Sequence, residues 1–124
     1  MRITIESVPH GVCRNKGVGD YGGSWCDLWI KVSHMRNWRY IVLVAVHELV
    51  EVAICRHQKI TNRAITAFDK QFEAKRRPGN VDEPGNDLNA PYRSAHRTAT
   101  KIEKVLAKAL EVDWKQYSKL VDSL

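Results

Sequence analysis

The longest apolar segment of the chain, Tyr40–Cys55, constrains the fold more than any other feature. Its residues are almost continuously hydrophobic, and a helix that is apolar nearly all round is normally buried by its neighbours. The segment nevertheless carries His47, Glu48 and Glu51. Buried ionisable side chains need a partner or a metal ion. We therefore predict a central helix over residues 38–57 that the rest of the chain surrounds and that supplies polar groups to an internal site.

The spacing of these polar residues is typical of a metal-binding helix. The pattern His47-Glu48-x-x-Glu51 is one substitution away from the zincin signature His-Glu-x-x-His. Residues four apart lie on one face of a helix, one turn apart, so His47 and Glu51 can reach the same ion. Imidazole nitrogen and carboxylate oxygen both suit Zn²⁺. Glu48 holds the position that is the general base in zincins, and it is therefore the predicted catalytic residue.

A catalytic zinc site needs a third protein ligand. The candidates, in order of preference, are His96, Asp69, Glu103 and His57. His96 and Glu103 lie seven apart on the core-facing side of one predicted helix, and His96 would complete a set of two histidines and one glutamate. Asp69 flanks the apolar stripe of another helix. His57 has metzincin spacing, but Ile54 stands where that family needs a glycine to turn the chain.

Two other interpretations of the polar groups stay open at this point. The first is a carboxylate cluster for Mg²⁺, whose hard oxygen ligands would serve a nucleotide phosphohydrolase. The carboxylates that would form it are Glu48, Glu51, Asp69 and Glu103. The second is a structural ion-pair network without chemistry, in which the glutamates of the central helix pair with Arg63, Arg93 or Arg97. The protein would then be a non-enzymatic phage protein that binds nucleic acid or a host protein.

The N-terminal third of the chain predicts a small sheet. Residues Arg2–Val8 alternate apolar and polar side chains, as a half-buried strand does, and Ser24–Ser33 repeats that alternation. Between them, residues 11–23 hold five of the seven glycines, which predicts an irregular connection. We expect residues 1–34 to form an antiparallel sheet.

Three further helices are predicted after the central one, over residues 61–77, 91–110 and 113–123. The intervening loop, 78–91, contains three of the four prolines. Loops of this length inside a compact domain are usually functional or disordered, and this one could lie over the site. The whole chain, 1–124, is thus predicted to be a single α+β domain with a minimal zincin-like arrangement around the central helix.

Composition limits the partners. The net charge of +6 and the pI near 9.4 permit nucleic-acid binding, although the basic residues are spread along the chain. Three cysteines without a pairing pattern argue against a disulfide framework. The apolar segment is too short and too charged to span a bilayer. We therefore expect a cytoplasmic protein without membrane contact, and the sequence favours no particular substrate or oligomeric state.

Several short motifs together suggest a family. They are His47-Glu-Leu-Val-Glu51, Phe68-Asp69, Glu83-Pro-Gly85, Ala90-Pro-Tyr92, His96 and Asp113-Trp114. Over nearly its full length the chain resembles a family of small bacteriophage- and prophage-encoded proteins to which no activity is attached. The resemblance implies a viral origin and a place in the host cytoplasm. More distantly, strands followed by a helix with His47-Glu48 resemble a minimal zincin, from which the chain departs at Glu51.

Overall fold

A three-stranded sheet forms the N-terminal part of the computed structural model, which describes residues 1–124. Its strands are β1 (Arg2–Val8), β2 (Gly19–Ser24) and β3 (Asp27–Ser33), in the order β1-β3-β2. The β2–β3 hairpin is antiparallel, as expected, but β1 runs parallel to β3. The prediction of a wholly antiparallel sheet was wrong in this detail. The chain passes from β1 to the far edge before β3 returns between the two strands, so the sheet is mixed.

The glycine-rich segment is not wholly an irregular connection, because it contains β2. A Cβ atom added at Gly22 would overlap the indole ring of Trp29 on the neighbouring strand. One added at Gly19 would lie 2.6 Å from Oε1 of Glu48. Glycine inside a strand commonly marks such a close approach of side chains to the backbone. The strand was missed because these contacts are made by residues distant in the sequence, and they leave no β-branched or aromatic pattern in β2 itself.

Four α-helices follow the sheet, which gives the predicted α+β fold. They are α1 (Trp38–His57), α2 (Asn62–Ala74), α3 (Arg93–Ala109) and α4 (Trp114–Ser123). Side chains cap three of their N-termini: Asn37, Thr61 and Asp113 accept hydrogen bonds from backbone N–H groups in the first turn of α1, α2 and α4. The second helix ends three residues before the predicted end at 77, and the other bounds agree within two residues.

The core lies between the sheet and α1. Leu28, Ile30 and Val32 alternate along β3 and are buried on the face that α1 covers. The fully buried Leu43 of α1 packs into the same cluster. On its other side α1 packs against α3, whose buried face includes three alanines: Ala95, Ala99 and Ala107. Small side chains let two helices approach closely, and this brings the polar groups of α1 and α3 within reach of each other.

No α-helix of this fold has both the length and the apolar character that crossing a membrane requires.

The position of Leu43 generates a stability prediction. Replacement of this fully buried side chain by alanine leaves a cavity in the core, so Leu43→Ala should lower the free energy of unfolding by about 2–5 kcal/mol. The matched control is Leu88→Ala, because Leu88 is 81% exposed and its truncation should change that free energy by less than about 0.5 kcal/mol. Urea denaturation followed by circular dichroism measures both. Equal effects of the two substitutions would contradict the assignment of the core.

Candidate metal centre

Two helices bring three side chains that could hold a metal ion to one point in the interior, and we call them the candidate ligands. His47 and Glu51 project from the same face of α1, one turn apart, and His96 projects from α3. All three residues are buried. They are the group in the structure whose ligand atoms lie close enough together to hold one ion. These are the three residues that the sequence ranked first as ligands.

The three ligand atoms form a nearly equilateral triangle. His47 Nε2 lies 3.2 Å from Glu51 Oε2 and 3.2 Å from His96 Nδ1, and His96 Nδ1 lies 2.9 Å from Glu51 Oε2. Two ligands bound tetrahedrally to Zn²⁺ at about 2.0–2.1 Å are separated by about 3.3 Å. The observed edges are close to this value. The triangle therefore has the size of one face of a tetrahedral zinc site.

A second layer of carboxylates holds both histidine rings from behind. Glu103 accepts a hydrogen bond from His47 Nδ1 at 2.8 Å, and its other oxygen accepts one from the hydroxyl of Tyr117. Glu83 Oε2 forms an ion pair with His96 Nε2 at 2.7 Å, although without hydrogen-bond geometry. Each ring thus directs its outer nitrogen at a carboxylate. Metal-binding histidines almost always have such an outer partner, which orients the ring and makes the inner nitrogen more basic.

The carboxylate ligand is held in the same way. The hydroxyl of Tyr21, on β2, donates to Glu51 Oε1 at 3.1 Å, while Glu51 Oε2 faces the two histidines. One oxygen is therefore anchored to the sheet and the other is directed at the triangle. All three ligands have their inner atom oriented by a contact at their outer atom.

The charges of the cluster support one another electrostatically. Burial alone would lower the pKa of His96, but contacts with Glu51 and Glu83 outweigh it and raise that pKa to about 9. The pKa of His47 is likewise raised, because hydrogen bonds to Glu103 and Glu51 together outweigh its burial. Burial would raise the pKa of Glu51, but hydrogen bonds from the two histidines lower it. The carboxylates around the triangle therefore favour positive charge on the two histidine rings.

Glu48 differs from the other carboxylates of the site. It is partly buried, it lines the same cavity as the ligands, and no protein group forms a hydrogen bond with its carboxyl oxygens. Burial, followed by the negative charge of Glu51, raises the pKa of Glu48. Its side chain rests against the backbone of Gly19, where a Cβ would displace it. A carboxyl group with a raised pKa beside a cluster of metal ligands has the chemistry of a general base or acid.

The long loop lies over the site and is anchored at its base. Arg76 forms an ion pair with Glu73 and donates hydrogen bonds to the backbone carbonyls of Asn80 and Asp82. The following 3₁₀ turn, Pro84–Asn86, packs directly against His96. The loop therefore supplies both the outer carboxylate Glu83 and a wall of the site.

A cavity of about 710 Å³ opens onto the cluster. His47, Glu48, Glu51 and His96 contribute to its lining together with residues from the sheet, the loop, α2 and α4. Its mouth carries both basic and acidic side chains, which include Arg14, Lys16, Glu73 and Asp82. The volume lies within the range of about 300–1,000 Å³ that small-molecule sites occupy. The cavity therefore adjoins the three candidate ligand residues and Glu48.

The lower-ranked ligand candidates are not part of the triangle of ligand atoms. Glu103 lies beside the cluster, but it contacts the outer nitrogen of His47. Asp69 accepts a hydrogen bond from Tyr92 and is not part of the ligand group. His57 is exposed at the C-terminal end of α1. A ligand role for His57 would need the chain to turn back after Glu51, but α1 continues as a regular helix.

The arginines proposed for a structural network do not pair with the glutamates of α1. The ion pairs of Glu51 are with His47 and His96, and none involves Arg63, Arg93 or Arg97. Sequence reasoning missed three supporting residues: Tyr21, Glu83 and Tyr117. Tyrosine and glutamate are common surface residues, and no local pattern marks them as partners of a distant histidine.

Comparisons with protein-family models, with curated proteins and with solved structures found no match to this chain. The resemblance to small bacteriophage proteins stays a prediction from short motifs.

The contact of Gly85 with His96 generates a test of the site geometry. A Cβ at Gly85 would lie 2.5 Å from His96 Cγ and 2.7 Å from His96 Nδ1. Gly85→Ala must therefore move either the loop or a predicted ligand, and overpacking of this kind costs about 1–3 kcal/mol of unfolding free energy. Asn86→Ala is the control, because Asn86 is exposed in the same turn. A Gly85→Ala variant as stable as wild type would show that the loop does not pack against His96 as described.

Proposed function

We propose that this protein binds one Zn²⁺ ion through His47 Nε2, Glu51 Oε2 and His96 Nδ1, and that it is a metal-dependent hydrolase. The observation that carries the proposal is the triangle of ligand atoms with edges of 2.9–3.2 Å. Two histidines and one glutamate are a ligand set known from catalytic zinc sites. Such sites use three protein ligands and keep a fourth position for water or substrate.

The outer contacts support a metal rather than a purely structural network. Glu103 accepts hydrogen bonds at both oxygens, so its partner nitrogen on His47 carries a proton. The contact with Glu83 places the outer nitrogen of His96 against a carboxylate as well. In their neutral forms both rings then direct a lone pair at the oxygen of Glu51. Ring protons compensate the short contacts of these three atoms when no metal is bound, because the pKa values of both histidines are raised. One Zn²⁺ ion between the three atoms would replace those protons.

The donor atoms favour zinc over magnesium. Imidazole nitrogen suits Zn²⁺ and other transition metals, whereas Mg²⁺ is bound mainly by carboxylates, phosphates and water. The carboxylates needed for a magnesium cluster do not converge, because Asp69 is engaged by Tyr92 and Glu103 lies behind His47. The geometry therefore gives the magnesium phosphohydrolase less support. Net charge alone favours nucleic-acid binding, and no feature of the site adds to that argument.

Glu48 would act as the general base. A zinc ion held by His47, Glu51 and His96 would lower the pKa of a bound water molecule and would polarise the bond to be cleaved. Glu48 adjoins the ligands on α1, faces the cavity and has no competing hydrogen-bond partner. It can therefore take a proton from the attacking water and return it to the leaving group. The cavity volume of about 710 Å³ suits a small molecule or a short segment of a larger substrate.

A reducing location, such as the host cytoplasm for a phage-encoded protein, fits the same proposal. All three cysteines are free, and Cys13 and Cys55 are buried. Burial raises the pKa of both buried thiols, so they are poorly reactive and would not compete for zinc.

The first test is direct measurement of metal. Purified protein should contain about one zinc per chain by elemental analysis, and calorimetry on the metal-stripped protein should show one site. His96→Ala or Glu51→Ala should weaken zinc binding by more than about a hundredfold, since loss of outer-layer partners alone costs about 10–100-fold. His57→Ala, at the exposed end of the same helix, is the control and should bind as wild type. Zinc affinity that survives His96→Ala and Glu51→Ala would refute the proposed ligands.

The second test separates chemistry from metal binding. Glu48→Gln removes the base but keeps the size of the side chain, so zinc affinity should stay unchanged. Hydrolysis, measured on a panel of chromogenic esters, amides and phosphoesters, should fall by about 10²–10⁴-fold. Asp69→Asn is the matched control, since Asp69 also lines the cavity but lies outside the ligand group. A Glu48→Gln variant with full activity would remove Glu48 from the mechanism.

A further inference from the structure

The edge strand β1 is open and unprotected. All of its residues except the last are exposed, and it pairs on one side only, with β3. The other edge strand is different, because residues of β2 are buried and Arg14 donates a hydrogen bond to the carbonyl of Tyr21 at 3.0 Å. Unpaired strand edges are templates for another strand, and proteins usually block them with proline, bulges or covering segments. No proline, bulge or covering segment occurs along β1, and its charged side chains are Arg2 and Glu6.

The side chains of β1 form a self-complementary series. Read from either end, Arg2-Ile3-Thr4-Ile5-Glu6 runs charged, apolar, polar, apolar, charged, and the two end charges are opposite. Such a series matches a second copy of itself when the two run antiparallel about Thr4. We propose that β1 is a dimer interface at which two copies of this chain pair antiparallel across a two-fold axis at Thr4, forming one six-stranded sheet.

The backbone register agrees with this pairing. Arg2 N–H donates to the carbonyl of Cys26, and the carbonyl of Val8 accepts from His34 N–H, so even-numbered residues of β1 direct their polar groups toward β3. The direction of the backbone N–H and carbonyl groups alternates along a strand, so Ile3 and Ile5 direct these groups to the open edge. A two-fold axis at Thr4 places Ile3 opposite Ile5 of the second copy. These residues then exchange both hydrogen bonds, as antiparallel pairs do.

The charges on the outer face of the sheet also favour the antiparallel two-fold pairing. Within one chain, Arg2 lies beside Asp27 and Glu6 lies beside Lys31. The two-fold pairing places Arg2 opposite Glu6 of the second copy. One row of side chains then crosses the interface with alternating sign: Asp27, Arg2, then Glu6 and Lys31 of the second copy. A parallel pairing in register would instead place like charges side by side, which destabilises a sheet.

The inner face provides the apolar contribution. Ile3 and Ile5 are register partners of the buried residues Leu28 and Ile30, so they face the same side as the core. They are nevertheless 47% and 50% exposed, because α1 covers β3 and β2 but leaves β1 largely uncovered. In the dimer the four isoleucines form cross-strand pairs that shield one another. The same residues form the interface on both copies, so the assembly is a closed dimer and does not grow further.

A charge-reversal pair tests this interface. The wild-type chain should show the mass of a dimer, twice 14.2 kDa, in sedimentation and light scattering, with dissociation on dilution. Arg2→Glu alone and Glu6→Arg alone each place like charges opposite each other, so each variant should dimerise about tenfold more weakly or worse. Mixed together, the two variants pair opposite charges at both positions, and a heterodimer should form.

Controls separate this result from misfolding. Lys101→Glu makes the same type of charge change at an exposed site on α3 and should dimerise as wild type. Circular dichroism should show that every variant keeps its fold, since Arg2 and Glu6 are exposed. A wild-type chain that is monomeric at all concentrations would overturn the proposal. Dimers that are insensitive to both single substitutions, or single variants that do not pair when mixed, would overturn it as well.

Discussion

The packing of α1 against α3 buries two histidines and a glutamate together. The polar contacts around these three residues compensate the cost of removing them from water. Charged groups removed from water cost several kcal/mol each unless other polar groups replace the solvent. Here His47, Glu51 and His96 contact one another at 2.9–3.2 Å. Ring protons on the two histidines can compensate these contacts, since the pKa values of both are raised, and a bound metal ion would replace the protons at the same point. This constraint is the physical basis of the proposed metal site.

The sheet, the long loop and α4 each contribute one outer contact to this cluster. The sheet supplies Tyr21, the long loop supplies Glu83 and α4 supplies Tyr117, which holds Glu103 in place. The polar cluster therefore connects elements that also share one hydrophobic core. The proposed dimer edge lies at the other side of the sheet, on β1, where no residue of the site occurs. Metal binding and self-association are thus spatially separate and can be varied independently.

Much of the fold could be predicted, because its strongest signals are local. The central helix was expected over residues 38–57 and spans Trp38–His57, since a long apolar run follows the capping residue Asn37. The parallel pairing of β1 and the strand β2 could not be predicted. Gly22 belongs to a strand because its backbone must approach the ring of Trp29. Nothing in the glycines themselves encodes that contact, so the segment resembles a loop until the neighbouring strand is in place.

The sequence by itself determined which ligands share a helix face: His47 and Glu51 are four residues apart, and helical geometry brings such residues together in any fold. It also determined that His96 and Glu103 could both point inward, because seven residues are nearly two turns of α3. Only the tertiary structure decided between them. The axial and rotational setting of α3 against α1 places His96 at the triangle and Glu103 at the outer nitrogen of His47. That setting depends on packing between residues about fifty positions apart, which no local pattern records.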